Sequence, residues 1–166
     1  MASSLEKEAA DEGTTVNALA NSVLGHHFKW NTKAREFGFI SLHKPIFMSM
    51  IEELDDETLA SIGREVVSTS WREMAEFWFQ DSTPDKMLKI LGSRASCDPD
   101  GRTRVTQEDD TYTIVMRHDF GPKWSVVLNG ALRETVKKSF HAEPRISQGE
   151  SVVTARFKAD SRKWPT

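Results

Sequence analysis

Residues 11–24, DEGTTVNALANSVL, constrain this chain more than any other stretch. Glycine accepts the left-handed backbone that ends a helix, so Gly13 predicts a helix stop. Thr14 or Thr15 then offers a hydroxyl to the free N–H groups of a following helix. That helix carries Val16, Leu19, Ala20, Val23, Leu24, His27, Phe28 and Trp30 at helical spacing. The stripe is wider than a short two-helix unit covers alone, so a partner surface is expected, and a second copy of the chain supplies one. Upstream, SSLEKEAADEG offers Ser3 or Ser4 as cap and Leu5, Ala9 and Ala10 as a narrow apolar stripe.

Further along, Gly38 is expected to break the second helix, Ile40 and Leu42 alternate as a short extended piece, and Pro45 suits the first turn of a new helix. Ile46, Phe47, Met50, Ile51 and Leu54 would form its core face. Asp55 or Asp56 caps a long helix with Leu59, Ile62, Val66, Ser70, Met74 and Phe77 inward, and Ser82 or Thr83 with Pro84 opens another that Gly92 stops. From about residue 93 the texture turns polar and turn-rich, and TYTIVMRH is β-branched and aromatic in the manner of a strand. GPKWSVVLNGALRETVKKSF predicts a helix from Pro122, with Trp124, Val127, Leu128, Leu132, Val136 and Phe140 on one face despite Gly130. AEPRIS and ESVVTARF, divided by QGE, predict two closing strands, and KADSRKWPT a frayed tail. These elements add up to an α+β fold: an N-terminal helical dimerisation unit (1–44), a helical middle (45–92), and a C-terminal module (93–166) in which a small antiparallel sheet carries one packed helix.

Composition narrows the function. The 166 residues carry a net charge of −3, which argues against a uniformly basic nucleic-acid binder, yet the charge is uneven. Residues 1–44 balance five Lys/Arg against five Asp/Glu, residues 45–116 hold seven against fifteen, and residues 117–166 hold ten against five. That asymmetry is either ordinary solvated charge or a basic face toward the C-terminus. No apolar run approaches the roughly 20 residues that span a bilayer, and the start is charged where a signal peptide is apolar, so a cytoplasmic chain without membrane partners is expected. Cys97 has no second cysteine to pair with and reads as an incidental thiol in a polar loop.

In LEKEAADEGTTVNALANSVLGHHFKW, residues 5–30, Gly13, Thr15, Asn17, Ala18, Leu19, Asn21 and Leu24 stand in an order that resembles the helices of the ribbon-helix-helix family of transcriptional regulators, the Arc and MetJ type. Residues 30–45, W…AREFGFISLHKP, are similar to the segment after these helices in some archaeal regulator-like proteins. The resemblance implies a dimer whose paired strands read the DNA major groove, with the N-terminus of the second helix holding a phosphate. Carried over, Thr14, Thr15, Val16 and Asn17 hold the phosphate, while Leu19, Val23, His27 and Trp30 meet the partner chain. The ribbon strand belongs ahead of residue 5, where only MASS stands. This leaves two readings: a chain that starts late, or one that has kept the dimer helices and dropped DNA contact.

MRHDFGPKWS, residues 116–125, is the distinctive stretch of the second half. It suits a structural turn, with Asp119 as helix cap and Trp124 in the core. It also suits a site for a small-molecule or phosphate effector at His118, Lys123 and Trp124. His26 and His27 diverge by about 100° on a helix and do not chelate one ion, and His43 and His141 lack partners at ligand spacing, so no metal is expected. The aromatic run WREMAEFWF, with Trp71, Phe77, Trp78 and Phe79, is read as core plus dimer surface, the alternative being a stacked planar cofactor. No phosphate-binding Gly-rich motif, nucleophile elbow or HExxH is present, and neither catalysis nor a cofactor is expected. The expected function is a dimeric DNA-binding regulator with a C-terminal sensing or oligomerisation module; the alternative is an antitoxin-like adaptor that binds no DNA.

Overall fold

A computed structural model describes residues 2–97 and 103–159. The chain forms two compact units, residues 1–41 and residues 42–166. The first contains α1 (Ala2–Asp11), α2 (Val16–His26), a π-helical turn (His27–Asn31) and α3 (Thr32–Phe37), the last three in one unbroken helical run. The hinge between α1 and α2 takes its shape from its sequence. Gly13 adopts φ 64°, the Thr14 N–H returns to the Ala9 carbonyl at 2.8 Å, and the Thr15 hydroxyl accepts from the Ala18 N–H at 3.2 Å. Thr15, not Thr14, is therefore the cap. Gly38 ends α3 at φ 97°. Ser3 and Ser4 fall inside α1 rather than capping it, and Ala10 is exposed while Ala9 is buried. Ile40 and Leu42 lie in irregular, exposed backbone, because no neighbouring strand exists for them to pair with among the described residues.

In the second unit, α4 (Lys44–Glu52) carries Pro45 in its first turn. The Asp55 carboxylate caps α5 (Asp56–Ile62), accepting from the Thr58 N–H at 2.8 Å and the Thr58 hydroxyl at 2.9 Å. A second π turn (Gly63–Val67) runs on into α6 (Ser68–Phe79), and then comes α7 (Pro84–Cys97). α7 runs through Gly92, where the sequence predicts a stop, and places Cys97 on a helix rather than a loop. A helix-interior glycine weakens a helix by about 1 kcal/mol but does not end it when the backbone keeps right-handed angles.

The π turn corrects the expected inward face of the long helix. One extra residue in the turn rotates everything after it by about 100°. The buried positions accordingly step from Leu59 and Gly63 to Ser68, Trp71, Met74 and Ala75, and Val66 and Phe77 face outward. On α4, likewise, Phe47, Met48 and Ile51 pack inward, joined by Leu54 just past its end, and Ile46 and Met50 are exposed.

Four strands, β1 (Thr103–Glu108), β2 (Thr111–Arg117), β3 (Arg145–Gln148) and β4 (Val152–Lys158), form one antiparallel sheet in the order β1-β2-β4-β3. So polar a stretch does not predict β1; it forms because β2 offers it a complete ladder, Thr103 opposite Met116 through Glu108 opposite Thr111. Between β2 and β3 runs α8 (Gly121–Phe140), with Val127, Leu128, Leu132, Val136 and Phe140 buried as its spacing predicts. It packs on β3 and β4 with one side and on α5 and the π turn with the other. The inner sheet face, Tyr112, Ile114, Met116, Val153, Ala155 and Phe157, closes the core. The approach of α8 to α5 is backbone to backbone. A Cβ on Gly63 would fall on the Val127 carbonyl oxygen, and one on Gly130 would lie 2.5 Å from that of Ala60. Gly130, an oddity in the sequence, is what lets the crossing close.

The fold is thus α+β, mostly helical, with a small four-stranded antiparallel sheet toward the C-terminus. Among the described residues no helix is long and apolar enough to cross a membrane. The expected frayed tail falls, from residue 160 on, outside the described residues, as does the turn-rich segment 98–102.

Candidate functional site

His118, at the end of β2, sits 8% exposed at the foot of α8. Its backbone N–H donates to the Ser151 carbonyl at 2.9 Å, tying β2 to the β3–β4 turn. The ring continues that tie. The Phe120 N–H donates to Nδ1 at 3.3 Å, so Nδ1 is the acceptor nitrogen and Nε2 carries the proton. Nε2 lies 2.9 Å from Ser125 Oγ, and the Ser125 hydroxyl donates in turn to the Gly149 carbonyl at 2.6 Å. A fully buried serine thus joins β2, α8 and the β3–β4 turn through two hydrogen bonds, the last two of a chain of three that runs in one direction from the Phe120 N–H. Burial holds the His118 imidazolium pKa below the usual value near 6.5, and the Asp119 charge beside it only partly opposes this. A neutral ring is the form that fits the clasp.

A serine hydroxyl at 2.9 Å from an imidazole has the reach of a nucleophile and its base. Here the roles run the other way. The ring donates to the serine, the serine proton points at a carbonyl, and Ser125 is 0% exposed. The pair clasps the fold.

The other residues of this stretch diverge from His118. Lys123 Nζ donates to the Leu54 carbonyl at 2.6 Å, just past the C-terminal end of α4, and pairs with Asp56 at 3.3 Å. A cation there complements the negative end of the α4 dipole. Trp124 packs edge-on against Phe47 at 5.3 Å and lies 6.0 Å from Phe120. The expected effector trio of His118, Lys123 and Trp124 is therefore spread over three neighbours, each side chain occupied by protein. Asp119 does not cap α8: its carboxylate pairs with Lys44 at 2.8 Å, Phe120 takes the cap position without a side-chain cap bond, and α8 starts one residue early, at Gly121 with φ 71°. Among the described residues no three His, Cys, Asp or Glu side chains gather as a metal-binding group.

In the N-terminal unit, Thr14, Thr15, Val16 and Asn17 are all exposed at the start of α2, where a helix leaves its first N–H groups without internal acceptors. Leu19 is 6% exposed, whereas Val23 and Leu24 are 54% and Phe28 69% exposed. His27 is exposed, and Trp30 is half-buried against Phe39 at 5.3 Å. Sequence reasoning does not single out Ser125, Gly149, Lys44 or Asp56 as site residues. The one local hint is Ser125, a polar residue within an apolar helix face, while its partners stand 7 and 24 residues away.

Comparison with known proteins finds no family model, no curated protein and no solved structure that the chain matches.

Proposed function

We propose that the chain works as a dimeric, DNA-linked transcriptional regulator whose N-terminal helices pair across a two-fold axis. The observation that carries this is the exposed apolar side of α2 and of the π turn after it: Leu19 is the only buried residue of α2, and Val23 and Leu24 on α2 and Phe28 in the π turn remain largely in water. Covering three half-exposed apolar side chains on each of two chains contributes roughly 5–9 kcal/mol, which is comparable to the entropic cost of association. A twin surface offers this without any further partner. In such a pair the two α2 N-termini stand at one spacing, with Thr14, Thr15, Val16 and Asn17 exposed and the N–H groups of Thr15, Val16 and Asn17 open to backbone phosphates while that of Thr14 stays with the Ala9 carbonyl, an arrangement that the resemblance to ribbon-helix-helix regulators implies. Residues 42–166 then serve as the module that senses an effector or extends the interface.

The equal numbers of acidic and basic residues in 1–44 favour a second reading, an adaptor of the antitoxin kind whose helices serve assembly alone. Two measurements separate these. Light-scattering mass in solution is expected at twice 18.8 kDa. A gel-shift titration against the protein's own promoter, at two salt concentrations, is expected to show binding that weakens steeply as salt rises. A lone 18.8 kDa species refutes the dimer, and a dimer that leaves the promoter unshifted leaves the adaptor reading standing.

A further inference from the structure

The outer face of the sheet, opposite α8, is basic, and among the described residues its charged side chains are exposed. Cross-strand partners share a face, so the register places Arg104, Val115, Thr154 and Ser147 in one row across β1-β2-β4-β3, and Thr106, Thr113, Arg156 and Arg145 in the next. Arg117 opposite Val152 continues the face at one end, and Lys158 opposite Thr111 at the other. Arg104, Arg117, Arg145, Arg156 and Lys158 are exposed, and among the described residues none of them has an ion pair. Glu108 is the one carboxylate in these rows, beside Asp109 and Asp110 at the β1–β2 turn, and Glu150 lies in the β3–β4 turn. Arg145 and Arg156 stand directly opposite each other, an arrangement that destabilises a bare sheet. A chain of net charge −3 has thus collected four arginines on one face of the sheet and left two of them facing.

We infer that this face binds the sugar-phosphate backbone of a nucleic-acid duplex. Arginines interleaved with Thr and Ser hydroxyls are the donors that phosphate oxygens take. The face carries no aromatic ring, so it lacks the stacking platform by which proteins hold single strands. It also carries no protruding apolar side chain for a lipid surface; Val115 and Val152 are half-buried. β1 and β3 lie three strand spacings apart, roughly 14 Å, close to the roughly 12 Å width of a major groove, so Arg104 and Arg145 reach phosphates on its two sides. The contact reads no sequence. It lies outside the N-terminal unit and needs no dimer, so it stands or falls separately from the two-fold pairing proposed above.

The test is fluorescence anisotropy of the full chain with a labelled duplex of arbitrary sequence, about 24 base pairs long, in about 50 and about 200 mM salt. Four phosphate contacts predict a fall in affinity of about a hundredfold between the two. Arg145→Ser with Arg156→Thr removes two contacts and is expected to lower affinity at least tenfold and to flatten the salt slope by about 2. Arg72→Ser with Lys89→Ser removes the same charge from α6 and α7 and is expected to change little. Circular dichroism checks each fold, and relieving the facing arginines is expected to leave the sheet variant at least as stable as the parent. No salt-dependent duplex binding overturns the proposal, as does equal weakening by the two double variants. So does stronger binding to a single strand or to phosphatidylserine vesicles, or arginine-dependent self-association in place of duplex binding.

Discussion

Replacing Gly63 by alanine sets two calculable effects against each other. Gly63 has ordinary helical angles, φ −58° and ψ −51°, so a methyl group there meets no backbone penalty. In an open helix the change would stabilise the protein by about 0.5–1 kcal/mol, by restricting the unfolded chain. At this position the new Cβ falls on the Val127 carbonyl oxygen, well inside contact, and within 2.9 Å of the Ala131 nitrogen. Both are backbone atoms of α8, which the sheet holds from its other side. Relief requires the helices to part by about an ångström, which forfeits a quarter to a half of the dispersion attraction along the crossing. Overpacking of this kind costs about 1–3 kcal/mol, so the net expectation is a loss of about 1–2 kcal/mol. For a unit of this size that lowers Tm by roughly 4–8 °C. Urea unfolding followed by tryptophan fluorescence measures it, with an unchanged slope showing that the same surface unfolds. Gly25→Ala is the control: nothing lies within 4 Å of its Cβ, and stability should rise. A Gly63→Ala protein as stable as its parent would refute the close crossing of α5 and α8.

Other expectations rest on single contacts. Ser125→Ala strands the buried His118 Nε2–H and takes the donor from the Gly149 carbonyl in the exposed β3–β4 turn, and should cost about 1–3 kcal/mol, read from the urea midpoint. His118 is held neutral by burial, so the unfolded chain binds the proton more readily. Stability is therefore full above about pH 6.5 and falls as pH drops from there toward the lowered native pKa; His118→Gln should flatten that slope in a pH series of urea midpoints. Thr135 Oγ is buried without a hydrogen-bond partner among the described residues, so Thr135→Val should raise stability by about 1 kcal/mol in the same assay. Val23→Glu with Phe28→Glu puts charge on the uncovered side of α2 and should halve the light-scattering mass while leaving helix content unchanged; an unaltered dimer mass would move the interface elsewhere.

Local chemistry is enough to read most of the element boundaries. Gly13, Thr15, Gly38, Pro45, Asp55 and Pro84 mark helix ends through backbone angles and hydrogen bonds that close within a few residues, and the face of α8 and the strands around QGE come from side-chain period alone. Those signals settle the α+β class before any contact is known. The features hidden from sequence depend on atoms distant along the chain. The π turn at Gly63–Val67 shifts the phase of a helix whose spacing is otherwise regular, which exposes Val66 and Phe77 and buries Trp71. β1 exists because β2 pairs with it, and Gly130 matters because Ala60 arrives beside it. His118 looks like a companion of Lys123 and Trp124 because they are close in sequence, yet the tertiary packing gives it to Ser125 and Gly149 and sends the other two to α4. The arginine rows likewise assemble from four strands, since only hydrogen-bonded register decides which side chains share a face.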